Sequence, residues 1–308
     1  MLMGNTCLEI LNQAVEKLRL AGIDRPRTNA ELLLGSVLNE NKVDLYLDKD
    51  RILTSDEIEK FHQYTKERIS HRPVQYIIGT VEFFGLEFKV DERVLIPRLE
   101  TETLVEVVIA QLVNKKNPKI IDLGTGSGAI AISLAKNLNS PFIYATDVSK
   151  DALDVAKGNA IKNKVENQIE FLCGDLFEPL KNKNLESQID CVVSNPPYVS
   201  EDEFETLPRE IKDYEPIVAL ESGKEGLFFH KKIIENSVDF LKKGGLLALE
   251  VAFGQAGKVA DLIRQNENYN NIEVIKDLSG IDRVVKAVKR ATVICSFESI
   301  GTQLRLNG

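Results

Sequence analysis

The stretch Asp122-Leu123-Gly124-Thr125-Gly126-Ser127-Gly128 constrains this chain more tightly than any other. It closes an apolar run at 119–123 and opens a helical pattern carried by Ile130, Leu134 and Leu138. Glycines at such a turn let the chain reverse tightly and let backbone approach a ligand closely. Downstream the pattern repeats, with strands expected at 142–146, 168–173, 190–194 and 246–251. Strands at 272–276 and 283–288 have no long helix between them and are expected as an antiparallel hairpin at one edge. Alternation of this kind predicts an α/β fold whose mainly parallel sheet carries helices on both faces.

The N-terminal part reads differently. Leu8, Leu11, Val15 and Leu18 recur at helical spacing as far as Gly22, and Pro26 suits the first turn of a second helix carrying Ala30, Leu33, Leu34 and Leu38. Thr54-Ser55-Asp56-Glu57 is a capping box that opens a third. The expected organisation is a helical bundle over 1–80, a β-hairpin linker within 81–95 centred on Gly85, the α/β domain over 96–290, and a tail at 291–308 with no assigned role.

Composition narrows the function classes. Of 308 residues, 39 are Lys or Arg against 47 Asp or Glu, a net charge of −8, which argues against a phosphate backbone as main partner. No apolar run approaches a membrane span, since the best, at 246–253, is broken by Glu250. Residues 1–10 have no basic region leading into an apolar core, so a cytoplasmic location is expected. Cys7, Cys173, Cys191 and Cys295 form no CxxC pair, and His62, His71 and His230 share no ligand spacing. Neither a metal site nor a histidine base is expected.

Asp147 closes the second strand, where a carboxylate can accept both hydroxyls of a ribose. Gly124-x-Gly126-x-x-Ala129 formally satisfies a relaxed dinucleotide fingerprint, so a NAD enzyme has to be weighed. Asp122 argues against it, because a carboxylate two residues before the first glycine would repel a pyrophosphate. S-adenosylmethionine has no phosphate and carries an ammonium and a sulfonium, which a carboxylate at the loop entrance suits. Asp175 after the third strand could accept from an adenine amino group, or cap a helix.

The strand at 190–194 ends in Asn195-Pro196-Pro197-Tyr198, the most specific signal in the chain. Two prolines fix the backbone, so the Asn195 side chain and the Pro196 carbonyl can be held in one geometry. Both are acceptors and can together take the two protons of a planar NH₂ group, against which Tyr198 offers an aromatic face. Such a nitrogen is a poor nucleophile, because its lone pair is delocalised. Acceptors off its plane would turn that lone pair towards a methyl donor, so the chemistry needs alignment and not a nucleophilic side chain.

Asn195-Pro196-Pro197-Tyr198 resembles the motif of methyltransferases that act on exocyclic or amide nitrogen. Ile96-Pro97-Arg98-Leu99-Glu100-Thr101-Glu102, Asp122 to Ala131, Gly223 to Phe229, Leu249 to Gln255 and Asp277 to Val285 are similar to segments of one branch, the HemK/PrmC family of peptide chain release factor glutamine N5-methyltransferases. The resemblance implies a Rossmann-like class I S-adenosylmethionine-dependent fold with a mixed seven-stranded sheet. It implies that Gly124, Thr125, Gly126, Ser127, Gly128, Asp147, Asp175, Leu176 and Asn195 line the cofactor site. Asn195, Pro196, Pro197 and Tyr198 would hold the glutamine of a Gly-Gly-Gln motif, with Asn195, Pro196 and Tyr198 serving catalysis. Bacterial-type release factors would be the partners, contacted through the helical bundle, and the protein a monomer without nucleic-acid or membrane binding. Three positions depart from the family pattern: Leu99 for proline, Glu225 for aspartate, and Leu176 for an aromatic beside the adenine. The rival reading is a nucleic-acid adenine N6-methyltransferase, which shares the loop and the motif but would be expected to carry a basic surface.

Overall fold

The computed structural model describes residues 6–291. The tail from 292 on, with Cys295, lies outside the described residues.

Helices α1 (Cys7–Leu20), α2 (Pro26–Leu38), α3 (Lys42–Leu47), α4 (Ser55–Ile69) and α5 (Val74–Ile78) come first. Thr6 and Thr54 open α1 and α4 through capping boxes with Glu9 and Glu57, while α2 starts on Pro26. Helices α3 and α5, of 6 and 5 residues, are too short to leave a periodic signature and escape a reading by pattern. Leu11, Leu18, Leu33, Leu34 and Phe61 close a core of their own among these helices.

The hairpin follows as β1 (Thr80–Phe83) and β2 (Leu86–Lys89), antiparallel and turning through Phe84 and Gly85. It is more than a linker. Phe83 and Phe88 are buried edge-to-face, ring centroids 6.0 Å apart, in the core of the α/β part. Asn159 binds both backbone groups of Lys89, accepting from its N–H at 2.7 Å and donating to its carbonyl at 3.0 Å.

The α/β part runs α6 (Glu102–Leu112), β3 (Lys119–Leu123), α7 (Ala129–Asn137), β4 (Phe142–Asp147), α8 (Lys150–Lys162), β5 (Ile169–Cys173) and β6 (Ile189–Ser194). It continues with α9 (Glu201–Thr206), α10 (Arg209–Lys212), α11 (Phe228–Phe240), β7 (Leu241–Glu250), α12 (Ala256–Gln265), β8 (Tyr269–Lys276) and β9 (Asp282–Lys289). The strands form one seven-stranded sheet in the order β5-β4-β3-β6-β7-β9-β8. All pairs are parallel except those of β9, which is antiparallel to β7 and β8, the expected edge hairpin. Strand β7 starts earlier than its pattern suggests: Leu241 already pairs with Ile189, ahead of a bulge, where Lys242-Lys243-Gly244-Gly245 shows no alternation.

From β3 the chain moves outward one way through β4 and β5, then returns to place β6 on the other side of β3. That reversal leaves a crevice at the carboxyl ends of β3 and β6. The glycine loop leaves β3 there, and Asn195-Pro196-Pro197-Tyr198 leaves β6. The Ser194 hydroxyl donates to the Leu123 carbonyl at 2.7 Å and locks the two strand ends together.

Candidate active site

A cleft of about 210 Å³ opens over these strand ends. One wall is made by Gly124, Gly126, Asp147, Val148, Asp175 and Leu176, the other by Asn195, Pro196, Pro197, Val218, Ala219 and Phe229.

Backbone bonds shape the first wall. The N–H groups of Gly124 and Thr125 donate to the Thr146 carbonyl at 2.9 and 3.0 Å. The Asp147 carboxylate accepts from Gly126 N–H and Ser149 N–H, both at 2.9 Å. Burial raises the Asp147 pKa, opposed by N–H groups of Ser149, Gly126 and Val148 that stabilise its charged form. A side chain at Gly124 or Gly126 would meet nothing within 4 Å, so both leave open space at the wall.

Of the five loop residues expected at the cofactor, only Gly124 and Gly126 line the cleft. Thr125 turns inward and donates to Asp122 at 2.7 Å, the Ser127 carbonyl accepts from Asn159 at 2.9 Å, and Gly128 packs against Ile132 and Ala156. Asp122 corrects the sequence argument as well. It is fully buried beneath the loop, and a carboxylate without exposed surface cannot face a cationic ligand. Burial lifts its pKa to about 7, against the bond from the Thr125 hydroxyl. It therefore holds the loop from beneath through Thr125. Asp175 lines the cleft but caps no helix; its carboxylate lies 3.4 Å from Lys232 Nζ on α11.

The second wall is assembled from remote parts of the chain. Asn195 Nδ2 donates to Thr101 Oγ1 at 3.2 Å. Tyr198 does not line the main cleft. It faces an adjoining cavity of about 140 Å³ together with Leu95, Arg98 and Leu220, and the two cavities share Leu95, Asn195, Pro196 and Ala219. Burial raises the Tyr198 pKa well above the ordinary phenol value, so the ring stays neutral. Its carbonyl accepts from Gln255 Nε2 at 3.0 Å. At Gly226 a Cβ would stand 2.4 Å from that carbonyl oxygen, so only glycine fits. Gly226 and Gln255 belong to two of the motif-like segments, and this contact gives them their physical role. Arg98, which lines the small cavity, places Nη2 2.7 Å from both oxygens of Glu215.

Family comparisons agree with this geometry. The PrmC N-terminal domain family matches residues 9–79, and the methyltransferase small domain family matches residues 100–211. The chain is 38% identical over 301 residues to the release factor glutamine methyltransferase of Fusobacterium nucleatum, covering 97% of this chain and 83% of that one. It is 40% identical over 281 residues to the enzyme of the same name from Chlorobaculum tepidum, covering 90% and 95%. The chain belongs to the release factor glutamine methyltransferase family. Among solved structures, the hMettl16 catalytic domain in complex with a MAT2A 3′UTR hairpin aligns with a TM-score of 0.55 at 17% identity, over 77% of this chain and 84% of that one. That likeness is one of fold alone.

Within the release factor glutamine methyltransferase family pattern, two of the three departures stay clear of the cleft. Leu99 is 73% exposed, and Glu225 pairs with Lys231 at 3.1 Å on the surface. Leu176 does line it. Several residues at the site escaped the sequence reading. Phe229 brings an aromatic ring to the cleft from α11, and Val148 and Val218 bring apolar surface. Thr101 lies buried behind Asn195, and Glu250 is buried at the end of β7 within reach of Thr101. Phe229, Thr101 and Glu250 all fall inside motif-like segments, which marked the neighbourhood without saying which side chain mattered.

Proposed function

We propose that this protein transfers a methyl group from S-adenosylmethionine to the side-chain amide nitrogen of the glutamine in the Gly-Gly-Gln motif of a peptide chain release factor. The observation that carries this reading is the meeting of two cavities at Asn195 and Pro196. The larger has the open glycine loop, a ribose-type carboxylate in Asp147 and apolar surface from Val148, Leu176 and Phe229, a lining suited to a nucleoside without phosphates. The smaller has an aromatic ring and is sized for an amide side chain.

S-adenosylmethionine, when bound, supplies an electrophilic methyl whose leaving group is a neutral thioether. Asp147 holds the ribose hydroxyls, while Gly124 and Gly126 leave room for the methionine end. Asn195 Oδ1 and the Pro196 carbonyl accept the two amide protons and draw them out of the amide plane, so that the nitrogen lone pair is exposed. Tyr198 packs on the planar amide and keeps it from rotating. Arg98 and Glu215 hold the cavity wall. The nitrogen forms its bond to the methyl as the carbon–sulfur bond breaks, the thioether leaves neutral, and one amide proton passes by Asn195 Oδ1 and the Pro196 carbonyl to water; none of these groups forms a covalent bond to the substrate. Both cavities are built within one chain, so a single copy suffices. The helical bundle beside the cleft is the surface that selects the release factor.

Adenine N6-methylation would use the same pair of acceptors. A net charge of −8 and relatives named for release factors favour the protein substrate. The test incubates the protein with labelled S-adenosylmethionine and, separately, release factor, duplex DNA or tRNA. Label is expected in the Gly-Gly-Gln peptide. Label in nucleic acid alone would overturn the proposal.

A further inference from the structure

We propose that Thr101 and Glu250 act as a positioning pair that fixes which end of the Asn195 carboxamide faces the substrate; this rests on the acceptor role given to Asn195 above. The two ends of a carboxamide are nearly the same size, so packing does not choose between them. An acceptor role demands the oxygen. With NH₂ turned to the substrate, two donor groups would confront each other and the amide protons would have nowhere to go.

The choice is made behind the residue. Asn195 Nδ2 donates to Thr101 Oγ1 at 3.2 Å, which leaves Oδ1 for the cavity junction. A hydroxyl, however, can accept or donate, and a Thr101 that donated to Asn195 would favour the opposite flip. Its single proton has another destination. The Glu250 carboxylate, at 1% exposure closed to water, neighbours the Thr101 side chain, which favours its charged form. Glu250 Oε2 is buried without a hydrogen-bond partner among the described residues, a free acceptor for that proton, and Thr101 is itself only 4% exposed. A proton given to Glu250 leaves the hydroxyl only lone pairs for Asn195. The arrangement joins the end of β7, the turn before α6 and the end of β6. Burial raises the Glu250 pKa to about 7, opposed by the Thr101 side chain and by the Arg283 and Arg98 charges.

The test compares Thr101→Val, Thr101→Ser, Glu250→Met and Glu250→Gln in full-length protein. Turnover and KM on release factor are measured alongside donor Kd by calorimetry. Thr101→Val keeps the shape and loses the hydroxyl; kcat is expected to fall about tenfold or more, with donor Kd and release factor KM within about twofold. Thr101→Ser restores the hydroxyl and should recover kcat to within about threefold. Glu250→Met should match Thr101→Val, whereas Glu250→Gln, whose carbonyl still accepts, should recover most of the rate. Wild-type kcat in Thr101→Val, a Ser variant as slow as the Val variant, or a loss that resides in donor Kd would each overturn the inference. A wild-type protein that methylates no release factor would instead defeat the underlying reading.

Discussion

The contacts that shape the glycine-loop wall of the cleft span short stretches of chain: 3 residues from Asp122 to Thr125 and 21 from Gly126 to Asp147. Those that shape the opposite wall span 94 from Thr101 to Asn195, 117 from Arg98 to Glu215, 142 from Arg68 to Glu210 and 144 from Ser70 to Tyr214. The glycine-loop part of the donor wall is thus built within one βαβ unit, which Asp175 and Leu176 join from the end of β5. The acceptor wall is a loop that becomes defined only when α4, the turn before α6 and the end of β7 close around it. Damage to the first should stay in donor affinity. Damage to the second should reach turnover and release factor recognition from far away in sequence.

The sharpest break in this comparison is Asn195→Ala. One acceptor aligned with the reacting nitrogen is lost, and turnover is expected to fall about a hundredfold or more. Donor Kd should stay within about twofold, since Gly124, Gly126 and Asp147 are untouched. Single-turnover transfer to release factor, read beside donor calorimetry, checks both halves. An unchanged rate would remove Asn195 from the chemistry.

Next in size is Asp147→Ala. Its carboxylate would bond ribose hydroxyls and already orders Gly126 N–H and Ser149 N–H, so both binding and the shape of the wall suffer. Donor Kd is expected to rise about thirtyfold, the scale of a lost charge-assisted pair of bonds, with kcat at saturating donor nearly preserved. A fall in kcat alone would place Asp147 on the wrong side of the comparison.

These two positions were also the most legible in the sequence, and the reason is physical. Glycine spacing, a strand-end carboxylate and a rigid Asn-Pro-Pro-Tyr are local devices, and local geometry is written in adjacent residues. The mainly parallel sheet and its edge hairpin follow from alternation and spacing in the same way, whereas the count of seven strands is implied by the family resemblance. What could not be read was contact across the chain. In sequence Asp122 stands beside the loop, where a ligand could reach it; in space it is buried beneath the loop. Thr101 meets Asn195 across 94 residues of chain, and no spacing rule connects them. Helices α9 and α10 are too short for periodicity, and α10 is held by the Glu210 pair with Arg68 of α4.

A smaller effect is expected where the helical bundle holds the acceptor wall. Arg68, buried at the end of α4, pairs with Glu210 while also donating to Asn29 at 2.7 Å and to the Arg72 carbonyl at 3.0 Å. The Tyr214 hydroxyl donates to the Ser70 carbonyl at 2.9 Å. Between them they strap 209–214, whose continuation supplies Pro216, Val218 and Ala219 to the cleft. The double variant Glu210→Ala, Tyr214→Phe leaves Arg68 with its other two partners, so the bundle should stay folded. Release factor KM is expected to rise about fivefold, with donor Kd unchanged. Equal KM for both proteins would show that the wall stands without the bundle, and the contrast between the two walls would lose its long-range half.

The weakest lever is Leu176, the one family departure that faces the cleft. An aromatic at this position would stack on the adenine, worth about 0.5–1.5 kcal/mol beyond its buried area. Leu176→Phe is therefore expected to lower donor Kd about threefold. The size of the gain discriminates between two ways of binding a flat base. If Phe229 already covers it from α11, a second ring adds little, and Phe229→Leu should cost more than Leu176→Phe gains. If Phe229 lies only at the rim, the order of the two effects reverses. In either case kcat on release factor should not move. Leu176 stands on the wall opposite Asn195, so a change there should stay in donor affinity.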